Sequence, residues 1–145
     1  MSDTVAAFEQ TTRKTYEWLD ELDDVLGWDD RQQAYAALRS TLQALRDRLP
    51  HVEVAQLAAQ LPMLVRGFYF EGWDPNATPV KVRHRDEFLA PIASSLRRER
   101  STPPDEVARA VFQVLRLHVT TGELEDVLRV LPPEIRKLFG EELVG

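Results

Sequence analysis

The chain has 145 residues, 43% of them hydrophobic and 29% charged, with a formal net charge of −6 and no cysteine. That is enough apolar side chain for a real core, and it excludes a disordered chain, disulfide frameworks, thiolate nucleophiles and cysteine-ligated metal or iron–sulfur centres. The acidic balance argues against a nucleic-acid binder, which needs clustered Lys and Arg to neutralise phosphates, and no run has the length or apolarity of a membrane span or signal peptide, so a cytoplasmic location is expected.

In chain order, the first helix is expected around Trp18, Leu19, Leu22 and Leu26, which share one face at helical spacing. It overlaps an acidic stretch from Glu17 to Asp30 with seven acids and no base. Asp29 is the expected N-cap of a second helix carrying the stripe Leu38, Leu42, Leu45 and Leu49. A short third helix holds Val54, Leu57, Ala58 and Leu61. A fourth starts at Pro62, where the missing N–H costs nothing in a first turn. The segment Asp74–Val80 is rich in turn residues and reads as the linker. The run at Val80–Val82 is the sole strand candidate in the sequence. From Lys81 to Arg100, bases outnumber acids six to three.

Sliding the sequence by 70 residues aligns Arg13–Pro75 with Arg83–Gly145 without a gap. Thirteen positions are then identical, where chance gives about five. Conservative pairs extend the match: Trp18/Phe88, Leu22/Ile92, Leu42/Phe112, Leu49/Val119, Val54/Leu124, Val65/Ile135 and Tyr69/Phe139. Thr102 is the expected cap of the copied second helix. Thr120 with Glu123 forms a capping-box pattern before the copied third. The expected fold is therefore all-α: a tandem duplication of a four-helix unit packed into one eight-helix bundle. The units run over residues 1–73 and 83–145, with 74–82 as linker.

The repeat separates core from surface in the aromatic run Gly67–Trp73. Val65, Phe68, Tyr69 and Trp73 face apolar counterparts at the offset and are read as core. Met63, Gly67 and Phe70 match Pro133, Lys137 and Gly140. They form an apolar stripe that the second copy lacks. The plain reading is that the second copy, or the N-terminal extension with Phe8, covers this stripe within the chain; a helix can also approach closely over its glycine, so the stripe is a candidate interaction surface for a protein partner or a second copy of the chain, or a seat for a small apolar ligand.

A polar pattern is also duplicated. Arg39, Gln43 and Arg46 line one edge of the second helix, and Arg109, Gln113 and Arg116 repeat it. The plain reading is that Arg46 and Arg116 bridge to Glu53 and Glu123 across the next turn. The alternative is an anion-binding edge in each copy, since the arginine fork suits carboxylate or phosphate. His51, His84 and His118 form no metal-binding pair on a helix face, and Asp20, Glu21, Asp23 and Asp24 read as an acidic outer face. No nucleophile elbow or phosphate loop is present, so no enzyme, cofactor or metal is expected from motif.

The strings AYAALRSTLQALRDRLP, QLAAQLPMLVRGFYFEGWDP and GELEDVLRVLPPEIRKLF together resemble the bacterial and archaeal domain-of-unknown-function family 2267 over roughly residues 12–143. The resemblance implies a small all-helical soluble module and carries no activity, cofactor or catalytic residue. The functional expectation is a non-enzymatic interaction or assembly module. The alternative is a binder of a small anionic or apolar ligand between the repeats.

Overall fold

The computed structural model describes residues 3–81, 84–97 and 101–140. Val82 of the strand candidate, Arg83 at the start of the second unit, and Glu141 and Leu143 of the aligned repeat lie outside the described residues. Among the described residues eight helices follow in order: α1 Ala6–Leu26, α2 Arg31–Arg46, α3 His51–Ala58, α4 Met63–Phe70, α5 Arg85–Ser95, α6 Pro104–His118, α7 Thr121–Val130 and α8 Pro133–Arg136. A 3₁₀ turn, Lys137–Phe139, extends α8. There is no strand among the described residues; Val80 donates its N–H to Asp47 O (2.7 Å) and so ties the linker to the end of α2.

The helix ends follow local chemistry, with two corrections to the caps expected from sequence. Gly27 closes α1 in a left-handed conformation (φ 69°), its N–H reaching Asp23 O. Asp30, not Asp29, caps α2, accepting from Gln33 N at 3.1 Å. Asp29 itself sits at φ 51° in the turn, and Asp30 is the residue with the extended backbone a cap requires. Thr102 does not cap α6, whose N-cap is Pro103; its hydroxyl instead accepts from Trp28 Nε1 (3.0 Å). Thr120 does cap α7, accepting from Glu123 N (3.3 Å). The reciprocal half of that capping box is replaced from the turn after α3: Thr120 N donates to Gln60 Oε1 (2.8 Å).

α2 and α6 form the middle of the bundle. α1 packs on α2, α4 and α6, and α5 packs on α6 and α2. The first helix of each half thus lies partly on the second helix of the other. One continuous core results, containing Leu38, Leu42, Leu45 and Leu49 together with Ala108, Phe112, Leu115 and Val119. The cross-packing is visible in side chains. Trp18 on α1 stacks on His118 at the end of α6, with ring centroids 4.6 Å apart. At the same 70-residue offset, Phe88 on α5 lies under the Arg48 guanidinium (5.2 Å). Arg66 Nε donates to Ala58 O and Arg136 Nε to Leu128 O, each at 2.9 Å and again at that offset. These arginines give a further donor to carbonyls at the ends of α3 and α7 that also accept from Leu61 N and Leu131 N.

Trp18 is 2% exposed and joins the two halves. Trp18→Ala is expected to cost about 3–5 kcal/mol by leaving a large cavity under His118, measured by urea denaturation monitored through helical ellipticity.

Candidate functional site

The aromatic run divides into three environments. Phe68 and Tyr69 are core residues, and the Tyr69 hydroxyl donates to Val54 O (3.0 Å). Burial first of all raises the pKa of that hydroxyl, so it serves as a neutral donor. Phe70 is half-buried between the rings of Tyr69 and Trp73, with centroids at 5.1 and 5.6 Å. Trp73 Nε1 donates to Thr78 Oγ1, so this cluster fastens the linker. Met63 and Gly67 are exposed. The stripe Met63–Gly67–Phe70 is therefore open at its first two positions and packed at the third.

Gly67 is also part of a larger feature that the stripe did not outline. With Leu64 and Phe68 of α4, Tyr16 and Leu19 of α1, and Tyr35 of α2, it lines an open groove of about 620 Å³. Phe8 does not cover this face; it is 60% exposed, and Val5 is 51% exposed. A neighbouring hollow on α1 includes Val5 and Phe8 and shares Thr12 and Tyr16 with the groove. At the 70-residue offset, Tyr16, Tyr35, Leu64 and Gly67 correspond to Asp86, Asp105, Glu134 and Lys137. There Arg85 pairs with Asp105 and His84 lies against Glu134. The same face is apolar in one half and charged in the other.

The arginine edges bind backbone rather than the acids expected from sequence. Arg46, only 4% exposed, gives Nη1 to Tyr69 O (2.8 Å) and Glu71 O (2.9 Å), and its Nε to Asp47 (2.8 Å). Gln43 Nε2 donates to Phe68 O and Glu71 O, and Arg39 pairs with the Glu71 carboxylate. Together they hold the carbonyl end of α4. Arg116 repeats part of this at Phe139 O (3.1 Å). Arg109 pairs with Asp105, one turn earlier on α6. Arg109, Gln113 and Arg116 line an open hollow of about 430 Å³ with Lys137.

Glu53 and Glu123, freed from that expected pairing, face each other instead. α3 packs on α7, and one carboxylate oxygen from each of Glu53, Glu123 and Asp126 lies within 4.8 Å of the others. Both glutamates are more than nine-tenths buried. Burial, then the hydrogen-bonding contact with Glu53 and its charge, then the charge of Asp126, push Glu123 up to about 8. No single-sequence signal joins these residues, which come from helices far apart in the chain. The identity of Glu53 and Glu123 at the 70-residue offset was the one available clue. The remaining polar candidates are dispersed. Asp20 pairs with Arg31, Glu21 with His118, and His51 lies against Thr78 O. Asp23, whose pKa is raised mainly by burial, accepts from Asp30 N.

The family model described as "Uncharacterized conserved protein (DUF2267)" matches residues 15–138. The chain belongs to this family, as the resemblance in its sequence implied. No curated protein matches it.

Two outcomes follow from this geometry. Arg46→Ala strands buried carbonyls at the end of α4 and is expected to cost about 1–3 kcal/mol. Arg116→Ala, at an exposed position with one such bond, costs less; thermal denaturation of both variants measures the difference. The second concerns pH in a chelator-treated buffer. Glu123 faces Glu53 from α3, Asp126 on its own helix and Tyr69 from α4. Its folded pKa lies above the ordinary value, so between about 4.5 and about 8 the folded chain keeps a proton that the unfolded chain has lost. Stability therefore falls as pH rises through that window and is flat above it. Glu123→Gln flattens this slope, as read from denaturant midpoints between pH 5 and 9.

Proposed function

We propose that this member of the family is a non-enzymatic assembly module that pairs with a second copy of itself through the groove between α1, α2 and α4. The observation that carries the reading is the asymmetry between the two halves. The groove face keeps Tyr16, Tyr35, Leu64 and Gly67 exposed or lining a hollow, where the matching positions of the other half are charged, with Asp105 paired to Arg85 and Glu134 against His84. An open apolar hollow of this kind favours an apolar occupant. The outer end of α1 offers one, since Val5 and Phe8 project beside the groove. A surface that carries both a projection and a recess suits a two-fold contact in which each chain inserts into the other. Met63, exposed at the start of α4, would lie on the rim.

The same reading includes the origin of the bundle. Two four-helix units, residues 1–73 and 83–145 joined by 74–82, would derive from tandem duplication. The support is the run of identities at one offset, together with the matched contacts of Arg66 and Arg136 and of Trp18 and Phe88.

A second reading, a small-anion site at the edge of Arg109, Gln113 and Arg116, is supported by the hollow these residues line with Lys137. It also draws on the matching edge, where Arg39 holds the Glu71 carboxylate. Glu141, at the position matching Glu71, lies outside the described residues.

Light scattering at roughly micromolar to 100 µM protein is expected to give twice the chain mass of 16.6 kDa, in the concentration range of ordinary specific complexes. Leu64→Asp and Phe8→Asp, both at exposed positions, are expected to yield folded monomers by circular dichroism and mass. Phe70→Asp is the poorer probe, because it also breaks the ring cluster with Tyr69 and Trp73. A wild-type monomer across the whole range would remove self-assembly. A thermal shift in inorganic phosphate lost in Arg116→Ala would then support the anion reading.

A further inference from the structure

Glu53 lies in the first turn of α3 and Glu123 in the first turn of α7, and the two helices pack on each other. Asp126 follows one turn along α7. One carboxylate oxygen from each of the three lies within 4.8 Å of the others. Glu53 is 8% exposed and Glu123 is 7% exposed, and the Oε2 atom of each is buried with no hydrogen-bond partner. Among the described residues no lysine, arginine or histidine pairs with either glutamate. Arg129 holds Oδ1 of Asp126 at 2.8 Å, and Asp126 keeps 45% of its side chain exposed.

Buried carboxylates held together without a counter-charge are strongly unfavourable, so something positive belongs between them. A single shared proton links only two oxygens. It does not account for the approach of an Asp126 carboxylate oxygen to the same point. A multivalent cation engages all three groups. We propose that Glu53, Glu123 and Asp126 form a binding site for one hard divalent cation of the Mg²⁺, Mn²⁺ or Ca²⁺ class. The donor set is all carboxylate oxygen, which suits these ions and contains neither the imidazole nor the thiolate that softer metals favour. Both glutamates stand at helix N-termini, where the backbone dipole favours their ionised, ligating form. The open side of Asp126 admits the waters that complete the coordination of such ions. The site would join α3 to α7 and so clamp the two halves of the chain. It uses neither the groove nor its helices, and it stands or falls independently of self-assembly.

The test is titration of chelator-stripped protein with Mn²⁺ at pH 8, following the free-ion signal by electron paramagnetic resonance and the thermal midpoint in parallel. One ion per chain is expected, with a higher midpoint in its presence. Asp126→Asn removes an exposed helical ion pair and, offsetting it, one negative charge facing Glu123. It is expected to leave the metal-free midpoint unchanged while weakening Mn²⁺ binding at least ~10-fold. Glu123→Gln is expected to abolish binding while remaining folded. Absence of saturable binding of Mn²⁺ or Ca²⁺ below about 1 mM, the weak end of the range for protein calcium sites, would overturn the proposal. So would equal binding by wild type, Asp126→Asn and Glu123→Gln. If no cation binds at any concentration tested, the pH slope expected of the chelator-treated protein is the whole behaviour of the buried pair, which then holds a proton and not a metal.

Discussion

The packing of α1 on α6 and of α5 on α2 is the constraint on which the rest of the molecule depends. It makes each central helix serve two sets of neighbours. The apolar stripes of α2 and α6 are consequently buried along their whole length, and Leu42 and Leu45 are as fully enclosed as Val111 and Val114. The hydrophobic term is roughly proportional to area removed from water, so a core divided between halves in this way stabilises both together. The contacts at its margin follow from the same exchange. Trp18 is covered by His118 and Phe88 by Arg48, so an aromatic ring from one half is closed by a polar side chain from the other.

Cross-packing also decides what meets at the contact of α3 with α7. Where α3 lies on α7, corresponding residues approach one another, and an acid at such a position meets an acid. Glu53 and Glu123 do so inside the protein, where burial first, and then their mutual contact and weakly screened repulsion, raise the pKa of Glu123. The arginines lie elsewhere because helix ends claim them first. The end carbonyls of α3, α4, α7 and the turn after α8 take Arg66, Arg46, Arg136 and Arg116. A guanidinium with five donors satisfies several such carbonyls at once.

The outer surfaces obey no such constraint, and there the halves differ. The face over α1, α2 and α4 has Tyr16, Tyr35 and Leu64 where the other half has Asp86, Asp105 and Glu134. In the charged version Asp105 pairs with Arg85 and Glu134 lies against His84. The apolar version leaves a groove. A difference restricted to the surface, over a shared core pattern, fits the view that contact with another chain distinguishes the two halves.

Much of the fold was legible in the sequence because helical periodicity and burial are coupled locally. Trp18, Leu22, Leu42, Leu57, Val65 and Tyr69 are buried, as are their counterparts at the offset. The choice of Asp30 over Asp29 as cap was not legible, since it depended on which residue turned into the left-handed region. Nor was the use of Thr102 to bind Trp28 in place of capping α6, because that bond spans 74 residues. The groove and the carboxylate cluster were out of reach for the same reason. Tyr16, Tyr35 and Leu64 come from three helices, and Glu53 and Asp126 from helices in opposite halves. The sequence by itself determined which side of each helix is apolar, because that is a property of spacing within one element. Only the tertiary structure decided which helices share those sides, and therefore that Glu53 meets Glu123 rather than Arg46. The partner of a side chain depends on the relative placement of whole helices, and that placement minimises exposed area over the entire core at once.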